Sequence, residues 1–126
     1  MKQIITSILI FISLSLSAQS EVKFLNAFGE VPINSVSDLL ANSITLCIND
    51  NVSEVTRSEA VQQLSSFMNG QNIIKKKILH DGKSTDKDSS YKVARVKTNN
   101  GTYRVFAYAE LVNGKSVVKE VRIDKM

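Results

Sequence analysis

The chain changes its hydrophobic rhythm near residue 70. Before that point apolar residues recur every three or four positions; after it they alternate. In "EVKFLNAFGE", Val22, Leu25 and Phe28 stand three apart with Phe24 beside them. That spacing predicts a short amphipathic helix stopped at Gly29. In "SVSDLLAN", Ser35 and Asp38 have capping-box spacing, which predicts a second short helix beginning near Val36. "SITLCIN" is a compact run with β-branched residues and is expected to be a strand.

"TRSEAVQQLSSFMNG" carries the strongest helical pattern. Thr56 can cap the backbone while Glu59 reaches back, the reciprocal arrangement of a capping box. Ala60, Val61, Leu64, Phe67 and Met68 form one apolar stripe, a core face rather than a cofactor box. Gly70 suits the left-handed position after a helix end.

Strands are predicted near residues 72–80, 90–98, 102–112 and 116–124. "NNG" at Asn99 to Gly101 and "NG" at Asn113-Gly114 offer residues that tolerate positive φ, so the last three strands should form an antiparallel meander. "DGKSTDKDSS" is the longest connection and is polar throughout. Helices first and strands second imply an α+β domain with helices on one sheet face.

Alternation assigns the faces. Tyr103, Val105, Ala107, Ala109 and Leu111 share one apolar face; Arg104, Phe106, Tyr108 and Glu110 share the other. In the last strand Val117, Val121 and Ile123 share a face interrupted by Lys119, leaving Val118, Glu120 and Arg122 opposite. Phe106, Tyr108 and Val118 are therefore a candidate self-association patch on the mixed face, the alternative being isolated surface aromatics. A homodimer through that face is expected on the first reading.

The N-terminus alters the setting. Met1-Lys2 supplies a positive start, "IITSILIFISLSLS" follows without charge, and "LSAQS" offers small residues around Ala18. Residues 1–18 are predicted to be a signal peptide and residues 19–126 a single α+β domain. The expected location is periplasmic or extracellular, with no membrane association once the signal is removed. An uncleaved anchor is the competing reading, but the apolar stretch is short and no positive cluster follows it. Cys47 is the single cysteine, so no disulfide can form within the chain, and its apolar setting suggests a buried thiol. Export leaves an intermolecular disulfide as the other reading.

The charge balance is mild: 16 basic against 12 acidic residues, net +4. Nucleic acid is not expected as a partner, and "KKK" at Lys75 to Lys77 is expected to be solvated surface. One histidine and one cysteine supply no metal site, no phosphate-cradling glycine loop is present, and no cofactor is implied.

Three features together resemble a known family. A helix ending in Phe67-Met68 precedes a strand running into His80-Asp81-Gly82. A strand from Tyr91 to Thr98 runs into "NNGTYRVF". The chain closes on Arg122-Ile123 before Asp124. In these respects it resembles, over nearly its whole mature length, a family of short exported Bacteroidota proteins of unknown function (DUF4783-like). Met68 stands where the family has a second aromatic residue, and Ala94 where it usually has glycine. The resemblance implies a curved, mainly antiparallel sheet with the N-terminal helices packed on it, a cone similar to nuclear transport factor 2 and the cystatins. It implies no established activity.

Folds of that kind host both enzymes and binders, so residues must decide. His80 is the weak catalytic candidate, as an acid/base group of an isomerase- or dehydratase-like enzyme. His80 and Tyr103 are the candidate ligand-binding pair. The simpler reading has His80 end its strand and hand over to an Asp81-Gly82 turn. The expected function is an exported, non-catalytic domain that binds a small apolar ligand or a protein partner.

Overall fold

The computed structural model describes residues 19–83 and 88–126, with residues 80–83 described in backbone alone. The predicted signal peptide and residues 84–87 of the polar connection lie outside the described residues. The order is α1 (Ser20–Ala27), a 3₁₀ segment (Ile33–Leu39), β1 (Leu40–Ile48), β2 (Asn51–Thr56), α2 (Arg57–Met68), β3 (Ile73–Lys83), β4 (Ser89–Thr98), β5 (Gly101–Val112) and β6 (Lys115–Lys125).

The first helix follows its pattern: Phe24, Leu25 and Phe28 are buried and Val22 is half-buried. Gly29 ends it at φ +81, in the left-handed region. A Cβ there would stand 2.1 Å from Ile73 Cδ1, so only glycine lets the chain turn this close to β3.

The second predicted helix is instead two 3₁₀ turns joined across a non-helical Val36. Pro32 flanks the segment and offers no side-chain cap, and Ile33 is its one buried residue. Ile33, Val36 and Leu39 still reach the core, so the segment buries its apolar residues without forming a regular α-helix. The capping box at Thr56 is present as expected. The Thr56 hydroxyl accepts from the Glu59 amide at 3.2 Å, and Glu59 Oε1 accepts from the Thr56 amide at 3.1 Å. Gly70 takes φ +81 just beyond the end of α2.

Strand β2 is an addition to the predicted set. Val55 is its one buried residue, so it carries almost no hydrophobic pattern. Its signal lies in the turn before it: Asn49 and Asp50 have φ of 49° and 72°, as a two-residue hairpin of type I′ requires.

Among the described residues, six strands form one sheet in the order β2-β1-β6-β5-β4-β3. All neighbours are antiparallel except β1 and β6, which run parallel. The helical elements pack on one face, α1 over β4, β5 and β6 and α2 over β1 and β2. That face carries continuous apolar rows; one runs Ile48, Ile123, Val105, Ala94, Ile78 across five strands. Ala94 is fully buried there, against Val105 on β5.

Two strands depart from simple alternation. In β6, Tyr108 pairs with Glu120 and Ala109 with Val118, so Lys119 is the extra residue of a bulge. The bulge turns Val118 to the apolar face, where it is fully buried and pairs with Leu40. Val118 is thus a core residue and not part of the mixed-face patch. In β3, Ile74 and Leu79 are both left without a ladder partner. The strand also continues past His80 to Lys83, opposite Ser90, so Asp81-Gly82 is strand and not turn. Bulges and lysines on an edge strand discourage pairing with another chain.

Candidate functional site

The residues singled out from sequence do not converge. His80 pairs with Val93, whose partner on β5 is Phe106. Tyr103 pairs with Val96, whose partner on β3 is Lys76. The bulge at Leu79 therefore takes His80 out of the register of Ile78, Ile74 is itself an unpaired bulge residue, and the row of His80 is not that of Tyr103. The His80 side chain lies outside the described residues. Tyr103 is 6% exposed, and its ring meets Phe67 edge-on with centroids 5.1 Å apart. Such a pair adds about 0.5–1.5 kcal/mol beyond area burial. The ring thus belongs to the core between α2 and the sheet.

On the mixed face, Phe106 and Tyr108 are half-buried. Phe106 lies against Tyr91, ring centroids 5.6 Å apart, and the Tyr108 hydroxyl donates to Glu110 Oε2 at 2.7 Å. Tyr91, read from the sequence only as the head of its strand, takes the place that Val118 was expected to fill. Cys47 is a free, buried thiol on β1. Its register partner on β6 is Arg122, whose Nη2 donates to Cys47 Sγ at 3.9 Å. That contact, with Glu120 as a lesser cause, raises the guanidinium above its ordinary value.

Sequence reasoning missed Glu21. It sits in the first turn of α1 and is only 2% exposed. The Ser90 hydroxyl on β4 donates to its Oε2, while its Oε1 has no hydrogen-bond partner. The helix start favours a carboxylate electrostatically, but a buried oxygen without a donor is costly. Nothing in "SEVKF" distinguishes this glutamate from a solvated one. Nearby, Ser116 Oγ accepts from the amides of Gln19 and Ser20 and ties the start of α1 to β6.

An open concavity lies elsewhere among the described residues. Between residues 29–33 and α2 runs a groove of about 660 Å³, lined by Val31, Pro32, Ile33, Ser66, Met68 and Gln71 among others. Gly29 and Pro32 shape its outer wall by turning the chain away from the end of α1. Its lining mixes apolar bodies with hydroxyl and amide ends, and it contains no histidine, cysteine or aspartate. Among the described residues no group of three His, Cys, Asp or Glu side chains could hold a metal ion. No described helix is long and apolar enough to cross a membrane.

The fold and sequence both have relatives. A crystal structure from Bacteroides fragilis of a DUF4783 family protein is 25% identical, with a TM-score of 0.73 over 81% of this chain and 94% of that one. Another DUF4783 family protein, from Bacteroides ovatus, is 21% identical, with a TM-score of 0.76 over 88% of this chain and 97% of that one. An NTF2-like protein from Cytophaga hutchinsonii is 16% identical, with a TM-score of 0.61 over 85% of this chain and 93% of that one. At that identity the likeness concerns the fold alone. No curated protein matches the chain. The family model for "Domain of unknown function (DUF4783)" matches residues 22–124, and the chain belongs to that family, with an α+β fold of the NTF2-like kind.

Proposed function

We propose that this chain is an exported, non-catalytic binding domain that takes a small ligand in the groove between residues 29–33 and α2. The observation that carries the reading is where the open space lies. The sheet-facing interior is occupied by fully buried side chains such as Leu25, Ile44, Leu64 and Val105, and by the Tyr103–Phe67 ring pair. The groove of about 660 Å³ is within the usual size of small-molecule sites. Val31, Ile33 and Met68 suit an apolar body, and Ser66 and Gln71 suit polar groups at its ends. Self-association through Phe106 and Tyr108, with Tyr91 beside them, is part of the same proposal.

Amide chemical-shift mapping with a panel of small amphipathic molecules tests the groove. Shifts are expected to cluster on Val31, Ile33, Ser66 and Met68. Ser66→Trp fills the groove from an exposed position and should abolish them without lowering the melting temperature. Binding that maps elsewhere, or that survives Ser66→Trp, sinks the reading. Export is tested separately: the protein recovered from its producing cells should begin near residue 19 and lie outside the cytoplasm.

One observation favours a second reading, a small acid/base enzyme. Glu21 offers a buried carboxylate oxygen with no donor, the kind of group that accepts a proton from a substrate. In this reading Glu21 is the base; His80, in the register row of Phe106 on the other sheet face, is not brought to it. Turnover that Glu21→Gln abolishes at unchanged stability would support it. A Glu21→Gln protein that is merely more stable, with no turnover in either form, would dismiss it.

A further inference from the structure

Five cations from three strands meet on the open sheet face. In one cross-strand row Lys75 pairs with Lys97, which pairs with Thr102. In the next, Lys77 pairs with Arg95, which pairs with Arg104. All five basic side chains are exposed, and none is in an ion pair among the described residues. Four of them, with Thr102, line a depression of about 270 Å³. The acidic residue bordering this array is Asp124, the β6 partner of Arg104.

Stability does not explain the arrangement. Like charges directly opposite one another on adjacent strands are destabilising, and here there are three such pairs in register. Lysines on an edge strand can be explained as protection against pairing with another chain. That accounts for Lys75 and Lys77 on β3. It does not account for Arg95 and Lys97 on β4 or Arg104 on β5, which are already paired on both sides.

We propose that this face binds an acidic polysaccharide, a chain bearing carboxylate or sulfate groups. A flat array with cations repeating at the spacing between strands, about 4.8 Å, suits a polymer with regularly placed charges better than a single small anion. The two rows themselves hold no apolar or aromatic side chain, and the half-buried Val93 and Phe106 of the next row do not line the depression. An insertion into lipid needs exposed apolar groups among the cations. Single-stranded nucleic acid is gripped by stacking on aromatics. A protein partner concentrates its binding energy in apolar or aromatic anchors seated in pockets. A glycan chain can be held by charge and hydrogen bonds alone. The proposal leans on the export proposed above only for where such a polymer is met; binding itself is tested with the isolated domain.

Polygalacturonate and heparin are the probes, titrated into the folded chain at low and physiological salt. Arg95→Glu with Lys97→Glu is compared with Lys23→Glu and Lys115→Glu, an equal charge change at exposed sites away from the patch. The patch variant is expected to lose at least about tenfold in affinity and the control less than about twofold, with binding weakening as salt rises. Arg95→Gln with Lys97→Gln should show a smaller loss of the same kind, with circular dichroism unchanged. Equal losses in patch and control variants would reduce the effect to net charge and overturn the proposal. So would retention of full binding by the glutamine pair, absence of binding to both polysaccharides, or tighter binding to duplex DNA or phosphatidylglycerol vesicles than to either.

Discussion

The ammonium group of Lys76 on β3 donates to the carbonyl oxygen of Phe28, just beyond the end of α1, 3.0 Å away and 48 residues earlier in the chain. It also donates to the Asn26 carbonyl at 2.8 Å. A helix end leaves carbonyls without partners, and a cation there is favoured by the helix dipole. This explains a lysine in the middle of an apolar row, where alternation calls for a hydrophobic residue. Lys76→Met is expected to lower stability by about 1.5–3 kcal/mol, the usual range for hydrogen bonds to a charged group. Glu30, 3.6 Å from Lys76 but 58% exposed, should contribute less than about 1 kcal/mol. Urea unfolding checks both: the Lys76 effect should persist at high salt, and loss of the whole effect in salt would point to the surface ion pair instead.

Val118 carries a second prediction. The bulge at Lys119 places it in the core, fully buried. Val118→Ala is therefore expected to cost about 1–3 kcal/mol, for lost burial and the cavity left behind. On an open sheet face the same change would cost a few tenths at most. Thermal unfolding of Val118→Ala beside Val52→Ala, a valine that is 63% exposed, separates the two cases.

The capping box makes stability depend on pH in a defined direction. Hydrogen bonds from the Thr56 backbone, and then from its side chain, hold Glu59 below its ordinary value of 4.5. A carboxyl whose folded value is lowered stabilises the folded state above its unfolded value and loses that contribution as pH falls through the lowered one. Glu59→Gln should therefore flatten the fall of stability below pH 4.5 and leave its slope near neutrality unchanged. Thr56→Ala should cost about 1 kcal/mol at neutral pH, as loss of a cap does. An unaltered acid limb in Glu59→Gln would mean that the box does not form in solution.

Arg122 covers Cys47. With the thiol buried beneath the guanidinium, a bulky thiol reagent should react with the folded protein far more slowly than with the protein in urea. Arg122→Ala uncovers the sulfur without touching the core rows. The rate in the folded variant is expected to rise at least about tenfold, since reaction then no longer waits on local opening. Equal rates in both folded proteins would show that β1 opens elsewhere to admit the reagent.

These cases also show which features could be read from the residues. Helix α2 and strands β4 and β5 were legible because each carries its own code: a capping box with a 3.6-residue stripe, or strict alternation. The bulges at Ile74, Leu79 and Lys119 were not, because a bulge is a property of two strands in register and the partner is distant in the chain. One missed bulge moved Val118 to the wrong face, and the one at Leu79 took His80 out of step with Ile78. Strand β2 was illegible for the opposite reason: it is exposed almost throughout, and Asn49-Asp50 was its one local mark. Glu21 and the five-cation patch escaped because each depends on what the fold brings alongside, Ser90 for the one and the register of three neighbouring strands for the other.

The mixed face yields the last prediction. Tyr91, Phe106 and Tyr108 form a half-buried aromatic cluster there, and the two rows of cations begin one row further along the same strands. If two copies meet through the aromatics, their cations approach as well, and like charges facing each other oppose the contact. Salt screens that repulsion, with a screening length of about 10 Å at 0.1 M and about 3 Å at 1 M. Association through this face should therefore strengthen as salt rises, the reverse of what ion-paired interfaces do. Phe106→Glu should leave a monomer at every salt concentration, and Arg95→Glu with Lys97→Glu should associate more readily than the parent at low salt. Light scattering across a concentration series reads all three. A mass equal to one chain at every concentration and salt would remove the proposed self-association, and a dimer that weakens with salt would assign it to a different surface.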